Sequence, residues 1–171
     1  MATDFSKFAA DQGIKYFMIS YTDLFGAQRA KLVPAAAIAD MQRDGAGFAG
    51  FASWLDFSPA HPDLFAFPDA TSIVKLPWKP AVAWVPADCV MDGSQIAQLP
   101  RLVLKKLVET ARSMGLRVKT GVEAEFFLLN ADGASISDIY DVAEKPCYDQ
   151  QALMRRYDVI SEICDSMLSL G

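Results

Sequence analysis

Two carboxylates stand one residue apart in the run Gly121-Val-Glu-Ala-Glu-Phe-Phe-Leu-Leu129. If this run is a β-strand, Glu123 and Glu125 point to one face, while Val122, Ala124 and Phe126 point to the other. Burying such a pair is unfavourable twice over, because each carboxylate loses water and the two repel. A divalent cation removes both penalties, and hard ions such as Mg²⁺ and Mn²⁺ select carboxylate oxygens. The spacing therefore fits half of a metal site. It fits equally a solvated edge-strand face, where Glu-x-Glu is ordinary. The aromatic and aliphatic residues after Glu125 argue for a central strand, and so for the metal.

The elements around this run are legible from punctuation and periodicity. A helix is expected over about Asp4–Gln12, stopped by Gly13. Tyr16–Thr22 has the β-branched and aromatic content of a strand. Asp23-Leu-Phe-Gly26 places Asp first and Gly fourth in a type I turn, and Ala27–Val33 returns as a second strand before Pro34. A helix follows over Ala35–Arg43. From Gly45 to Asp69 the chain is rich in Gly, Pro, Phe and Ala without periodicity, and long loops of this kind are usually functional or contact a partner. Strands are predicted at Thr71–Leu76 and Ala81–Val90, the second closed by Asp92-Gly93. Four strands with inserted helices make a small α+β unit.

A boundary is placed near Gln95–Pro100, dividing the chain into residues 1–97 and 98–171. Pro100 suits the first turn of a helix, in which Leu104, Leu107, Val108, Ala111 and Met114 form an apolar stripe up to Gly115. The Glu-x-Glu strand comes next, turning at Asp132-Gly133, and a last helix over about Gln150–Leu170 carries Leu153, Tyr157, Ile160, Cys164 and Met167 on one face. One strand and two helices cannot bury both faces of a sheet, so the sequence is expected to be the front portion of a longer polypeptide.

Composition excludes several classes of function. The 171 residues are 52% hydrophobic with a net charge of −5, leaving no basic footprint for nucleic acid or an anionic membrane. No apolar run approaches the roughly 18 residues of a membrane span, and the start lacks the features of a signal peptide. Cys89, Cys147 and Cys164 are odd in number and widely spaced, and are read as reduced, mostly buried thiols of a cytoplasmic protein. His61 lies in a turn-like segment and is read as a loop residue.

Taken in order, several segments resemble the amino-terminal part of the glutamine synthetase family. They are Asp23-x-x-Gly26 with Lys31-Leu-Val-Pro34, Gly45-x-Gly-Phe48, Pro68-Asp69, Pro77-Trp78, Pro100-Arg101-x-x-Leu104-Lys105 and Gly121-x-Glu-x-Glu-Phe-Phe-Leu128. Each is weak alone, but the ordered set covers nearly the whole chain. The run Glu144-Lys-Pro-Cys-Tyr148 further resembles the branch of type III glutamine synthetases and γ-glutamylmethylamide synthetase.

The resemblance implies a β-grasp-like first domain followed by the beginning of a catalytic α/β domain. It implies a ring-forming homo-oligomer with active sites between subunits. Glu123 and Glu125 match the family's two metal-binding glutamates on that strand, for Mg²⁺ or Mn²⁺. The implied substrates are glutamate, ATP and a small amine. ATP phosphorylates the γ-carboxylate, and the amine displaces phosphate from the acyl phosphate. The nucleotide-contacting residues and remaining ligands are expected outside these 171 residues, which alone are not expected to be active.

One departure concerns the amine. Most family members have Phe-Asp-Gly-Ser where this chain has Phe48-Ala49-Gly50-Phe51. The family's aspartate helps form the ammonium site, and a methyl group cannot replace it. Either the amine is larger and less polar, with methylamine the expected substrate and Phe48–Phe51 the candidate pocket, or another acidic residue beyond Gly171 supplies the charge. The alternatives are ordinary glutamine synthesis, a non-catalytic relative with an assembly or regulatory role, and a stand-alone binding module whose Glu pair is a solvated face.

Overall fold

The computed structural model describes residues 3–171, and contacts divide the chain into two units, Met1–Val118 and Lys119–Gly171. Helix α1 (Phe5–Gln12) has the ends its sequence prescribes. The Asp4 carboxylate accepts the Lys7 N–H at 3.0 Å, and Gly13 closes the helix with φ 68°. Strand β1 (Tyr16–Thr22) and β2 (Gln28–Pro34) form the expected antiparallel hairpin, Tyr16 opposite Pro34 and Thr22 opposite Gln28. Pro34 falls at the end of an outer strand, where a missing N–H is tolerated. A 3₁₀ turn over Ala35–Ala37 leads into α2 (Ile38–Asp44).

The aperiodic stretch contains two strands that its pattern hides, β3 (Ala46–Phe48) and β4 (Leu64–Pro68). Strand β5 shrinks to Val74–Lys75, β6 spans Val82–Met91, and β7 (Ser94–Gln95) folds back on it. Asp92 and Gly93, with φ 48° and 73°, form the two-residue turn between them. The sheet is mixed, in the order β2-β1-β6-β4-β3, with β5 and β7 also on β6. The α+β mixture expected from the sequence is present. Its centre is β6, which runs parallel to β1 through Val82–Pro86 and then antiparallel to β4 through Ala87–Val90. Pro86 stands at the handover with no N–H to contribute, and its carbonyl accepts from Asp69 at 2.9 Å.

Alternation puts Ala83, Val85, Ala87 and Cys89 of β6 into the core with Phe17, Ile19 and Tyr21 of β1, and Phe5, Ile38 and Leu64 complete it. Trp84, on the opposite face, donates its indole N–H to Ser20 at 2.6 Å. Helix α3 (Pro100–Ser113) buries none of its side chains. Charge ties it to the sheet: Arg101 pairs with Asp69 and with Asp88 (3.0 Å), and Lys105 reaches Asp88 at 2.5 Å.

The second unit departs from expectation. Residues 116–128 form no helix or strand, so the predicted Glu-x-Glu strand is absent among the described residues. A strand exists only where a neighbour supplies its ladder, and none pairs with this segment. Val122 and Phe127 are 91% and 82% exposed. The turn at Asp132-Gly133 does form, under a single Leu129–Ile136 bridge. The long final helix is two, α4 (Gln150–Arg155) and α5 (Tyr157–Leu170). They are broken at Arg156 (φ −119°, ψ 20°), whose guanidinium donates to the Ser137 carbonyl, while Arg155 pairs with Asp138 at 2.8 Å. Cys147 and Cys164 are exposed and only Cys89 is buried, correcting the expectation of mostly buried thiols. No helix among the described residues is long and apolar enough to cross a membrane.

Asp23 is the one fully buried carboxylate among the described residues, at 0% exposure. One oxygen accepts the N–H groups of Phe25 and Ala27, each at 3.0 Å, and the other accepts Arg29 Nε at 2.8 Å, with Nη2 in ion-pair contact at 2.7 Å. Burial by itself pushes the carboxyl up, but the Arg29 guanidinium and the two N–H donors outweigh it and hold it below the ordinary range. A folded-state value below the unfolded one gives stability that is present above the ordinary carboxylate range, about pH 4, and lost as pH falls through the folded value. Asp23→Asn is expected to lower Tm at pH 7, and the gap to the parent should narrow as melts are taken at progressively lower pH. Equal Tm values at pH 7 would show that the pair contributes nothing.

Candidate functional site

Phe48–Phe51 is positioned by close packing on both sides. Gly45 precedes β3 with φ 78°, and a Cβ there would lie 3.0 Å from that of Phe65, so the position requires glycine. Strand β3 places Phe48 opposite Leu64. Gly50 then opens a 3₁₀ turn (Gly50–Ala52) and is buried, and a Cβ on it would meet the Phe57 ring at 2.9 Å and Met91 at 3.4 Å.

A directed chain of hydrogen bonds ties this turn to β1. Ser53 Oγ donates to the Gly50 carbonyl at 3.0 Å, so its one proton is committed and Tyr21 must be the donor in the 2.8 Å bond between the two hydroxyls. Burial raises the Tyr21 hydroxyl above its ordinary value despite the bond to Ser53, and the phenol stays protonated as that direction requires. The Tyr21 ring meets Phe48 edge-on, centroids 5.1 Å apart at 85°. Nearby, the Leu24 N–H donates to the Trp54 carbonyl at 2.9 Å, and Phe25 lies edge-on to Trp54.

Beside this turn opens a cleft of about 380 Å³, with Tyr21, Arg29, Lys31, Phe48, Ala49 and Ser53 among its lining residues. Of the four residues singled out from sequence, Phe48 and Ala49 face the cleft. Gly50 is buried, and Phe51, 51% exposed, is not part of the lining. The cleft also has two cations that the sequence reading missed. Their signal was available: Arg29 and Lys31 are two apart on a predicted strand and so share a face, with Arg29 directly opposite Tyr21. No carboxylate lines the cleft. Lys31 Nζ lies 5.1 Å from the centre of the Phe48 ring.

Glu123 and Glu125 lie in the second unit, both exposed in the segment without a ladder. In that setting neither suffers the burial that made a counter-ion attractive on sequence grounds. Their oxygens are the donors a hard divalent ion prefers, but no group of three or more candidate ligands forms among the described residues. The pair is at most part of a donor set, and no chemical step can be derived through it here. His61 caps its own turn through Ser58 and lies tilted against the Phe57 ring, as a loop residue would.

Residues 97–171 match the family model for the glutamine synthetase catalytic domain. A glutamine synthetase of Rhizobium leguminosarum bv. phaseoli is 72% identical over 171 residues, the whole of this chain and 39% of that relative. A glutamate–methylamine ligase of Methyloversatilis universalis is 34% identical over 169 residues, 96% of this chain and 38% of its own. A solved GmaS/ADP complex superposes with a TM-score of 0.94 at 55% identity, over 99% of this chain and 39% of that one. The chain thus spans 39% of the length of these relatives, or slightly less.

The space at Gly50 generates a direct test of the turn. Gly50→Ala forces the Phe57 ring aside, and overpacking of this kind costs about 1–3 kcal/mol. Urea denaturation of the variant should show a loss in that range, and an unchanged midpoint would show that the turn yields freely.

Proposed function

Since the chain belongs to the glutamine synthetase family, whose members are ATP-dependent ligases, and lies near its GmaS branch, we propose that it forms the amino-terminal portion of a glutamate–amine ligase. The reaction runs through a γ-glutamyl phosphate. Methylamine is the favoured amine, giving γ-glutamylmethylamide. In this reading residues 1–97 are a β-grasp-like domain and 98–171 open the catalytic domain. The complete protein is a cytoplasmic ring of subunits with active sites between neighbours.

The observation that carries the amine assignment is the cleft at Ala49. It contains no carboxylate, and two cations line it instead. Ammonium and methylammonium alike would find no carboxylate there to offset lost hydration or accept a proton, so the apolar surface is what separates the two amines. Phe48 and the methyl groups of Ala49 and Ala52 offer apolar surface to a substituent. One methyl group buried in such a place is worth about 1 kcal/mol, or about 10-fold in discrimination. The likeness to a glutamate–methylamine ligase supports the same reading, whereas the 72% identity to a glutamine synthetase favours ammonia.

Glu123 and Glu125 are proposed as ligands for Mg²⁺ or Mn²⁺, completed by residues elsewhere in the whole protein. When bound, such an ion neutralises charge on the transferring phosphoryl group. The chain's own contribution is two carboxylates one residue apart in sequence.

Two measurements on the complete enzyme test this. The first compares kcat/KM for methylamine and ammonia with glutamate and ATP saturating. Methylamine should be preferred by about 10-fold, and Ala49→Asp should move the ratio towards ammonia. A parent that prefers ammonia returns the protein to ordinary glutamine synthesis. The second replaces Glu123 or Glu125 by Gln, which should lower turnover by about 10²-fold or more with little change in folding. Near-normal turnover at saturating Mg²⁺ would remove that residue from the ligand set.

A further inference from the structure

The cleft beside Ala49 carries a charge that nothing in the ligase reading uses. Arg29 is committed on one edge: its Nε and Nη2 engage the buried Asp23 carboxylate, which fixes the guanidinium plane and cancels its charge. The other terminal nitrogen has no partner among the described residues. Lys31 is different. No carboxylate lies within ion-pair distance of it among the described residues, and its ammonium rests near the Phe48 ring alone. The net charge of the lining is therefore that of Lys31.

The hydroxyls do not alter this balance. The Tyr21 proton goes to Ser53 and the Ser53 proton to the Gly50 carbonyl, so the hydroxyls offer a ligand no free donor. The cationic donors are the ammonium of Lys31 and the outer N–H bonds of Arg29, held on one strand face two residues apart, and Gln28, also in the lining, gives an amide N–H to Thr22. The available apolar surface is Phe48, Ala49 and Ala52.

We infer that this cleft is a binding site for a small oxyanion, a carboxylate or a phosphate, held by Lys31 and the free edge of Arg29. Two cations on one rigid strand, one of them pre-oriented by Asp23, match the separated oxygens of such a group. A cation would be opposed by Lys31 and find no anionic partner, so the amine of the proposed reaction would have to enter this cleft uncharged. The inference stands on the geometry of the first unit alone and does not require the ligase reading to hold.

The test is an NMR titration of the ¹⁵N-labelled full chain with sodium acetate, inorganic phosphate and methylammonium chloride, at constant ionic strength set with sodium chloride. The amides of 28–31 and 49–53 should shift saturably with acetate or phosphate, with half-saturation in the millimolar range. Whichever anion binds more tightly identifies the source chemistry. Lys31→Gln, an exposed substitution whose remaining spectrum reports folding, should weaken binding by about 10-fold or more, while Lys31→Arg should stay within about 3-fold. The inference is overturned if neither anion gives saturable shifts, if chloride reproduces them, if methylammonium binds in their place, or if Lys31→Gln binds as well as the parent. A failed methylamine preference in the complete enzyme would leave these outcomes unaffected.

Discussion

A carboxylate with no exposure to water must be given donors, and the β1–β2 turn is built by giving Asp23 three of them and a further ion-pair contact. Two come from the turn's own backbone, which fixes its shape. The third, with the ion-pair contact, comes from Arg29, which is thereby pinned and lines the same cleft as Ala49. The neighbouring Leu24 N–H joins the same turn to Trp54, and so to the segment that carries Phe48–Ser53. One buried charge thus sets the hairpin tip, the orientation of a guanidinium and the seating of the loop that forms the cleft.

The two units contrast in how their side chains are covered. In the first, α1, α2 and both halves of the sheet supply one continuous core from Phe5 to Leu99. In the second, every core-sized residue keeps some exposure, and order comes from polar contacts: Asp132 in its turn, Asp138 with Arg155, and Arg156 with Ser137. Asp132 accepts from the Ser135 hydroxyl and from the Ala134 and Ser135 amides, which holds its carboxyl down at about 2. Such contacts define local turns but cannot replace buried apolar area as a source of stability.

Legibility in the sequence followed how local each cause was. Helix α1, strand β1 and the Asp23–Gly26 turn are set by their own residues and matched closely. Strands β3 and β4, rich in Gly, Ala, Phe and Pro, are made by pairing with each other and with β6, at distances along the chain that no window of residues reveals. The Glu-x-Glu run shows the converse: its pattern is that of a strand, but a pattern without a neighbour forms no ladder. At the cleft, Ala49 could be noticed only against the family's usual aspartate. The Arg29 and Lys31 pair was legible from alternation, and the hydroxyl chain through Ser53 only from coordinates.

Strand β6 has a consequence for how the first unit opens. Its early residues bond β1 and its later ones bond β4, so a single ten-residue thread belongs to both halves of the sheet. If β6 leaves, both halves lose their shared neighbour at once. The sheet should therefore exchange with solvent as one cooperative block whose slowest amides lie along this thread, and the cleft beside Ala49 is joined to it through β1 on one side and through β3 and β4 on the other.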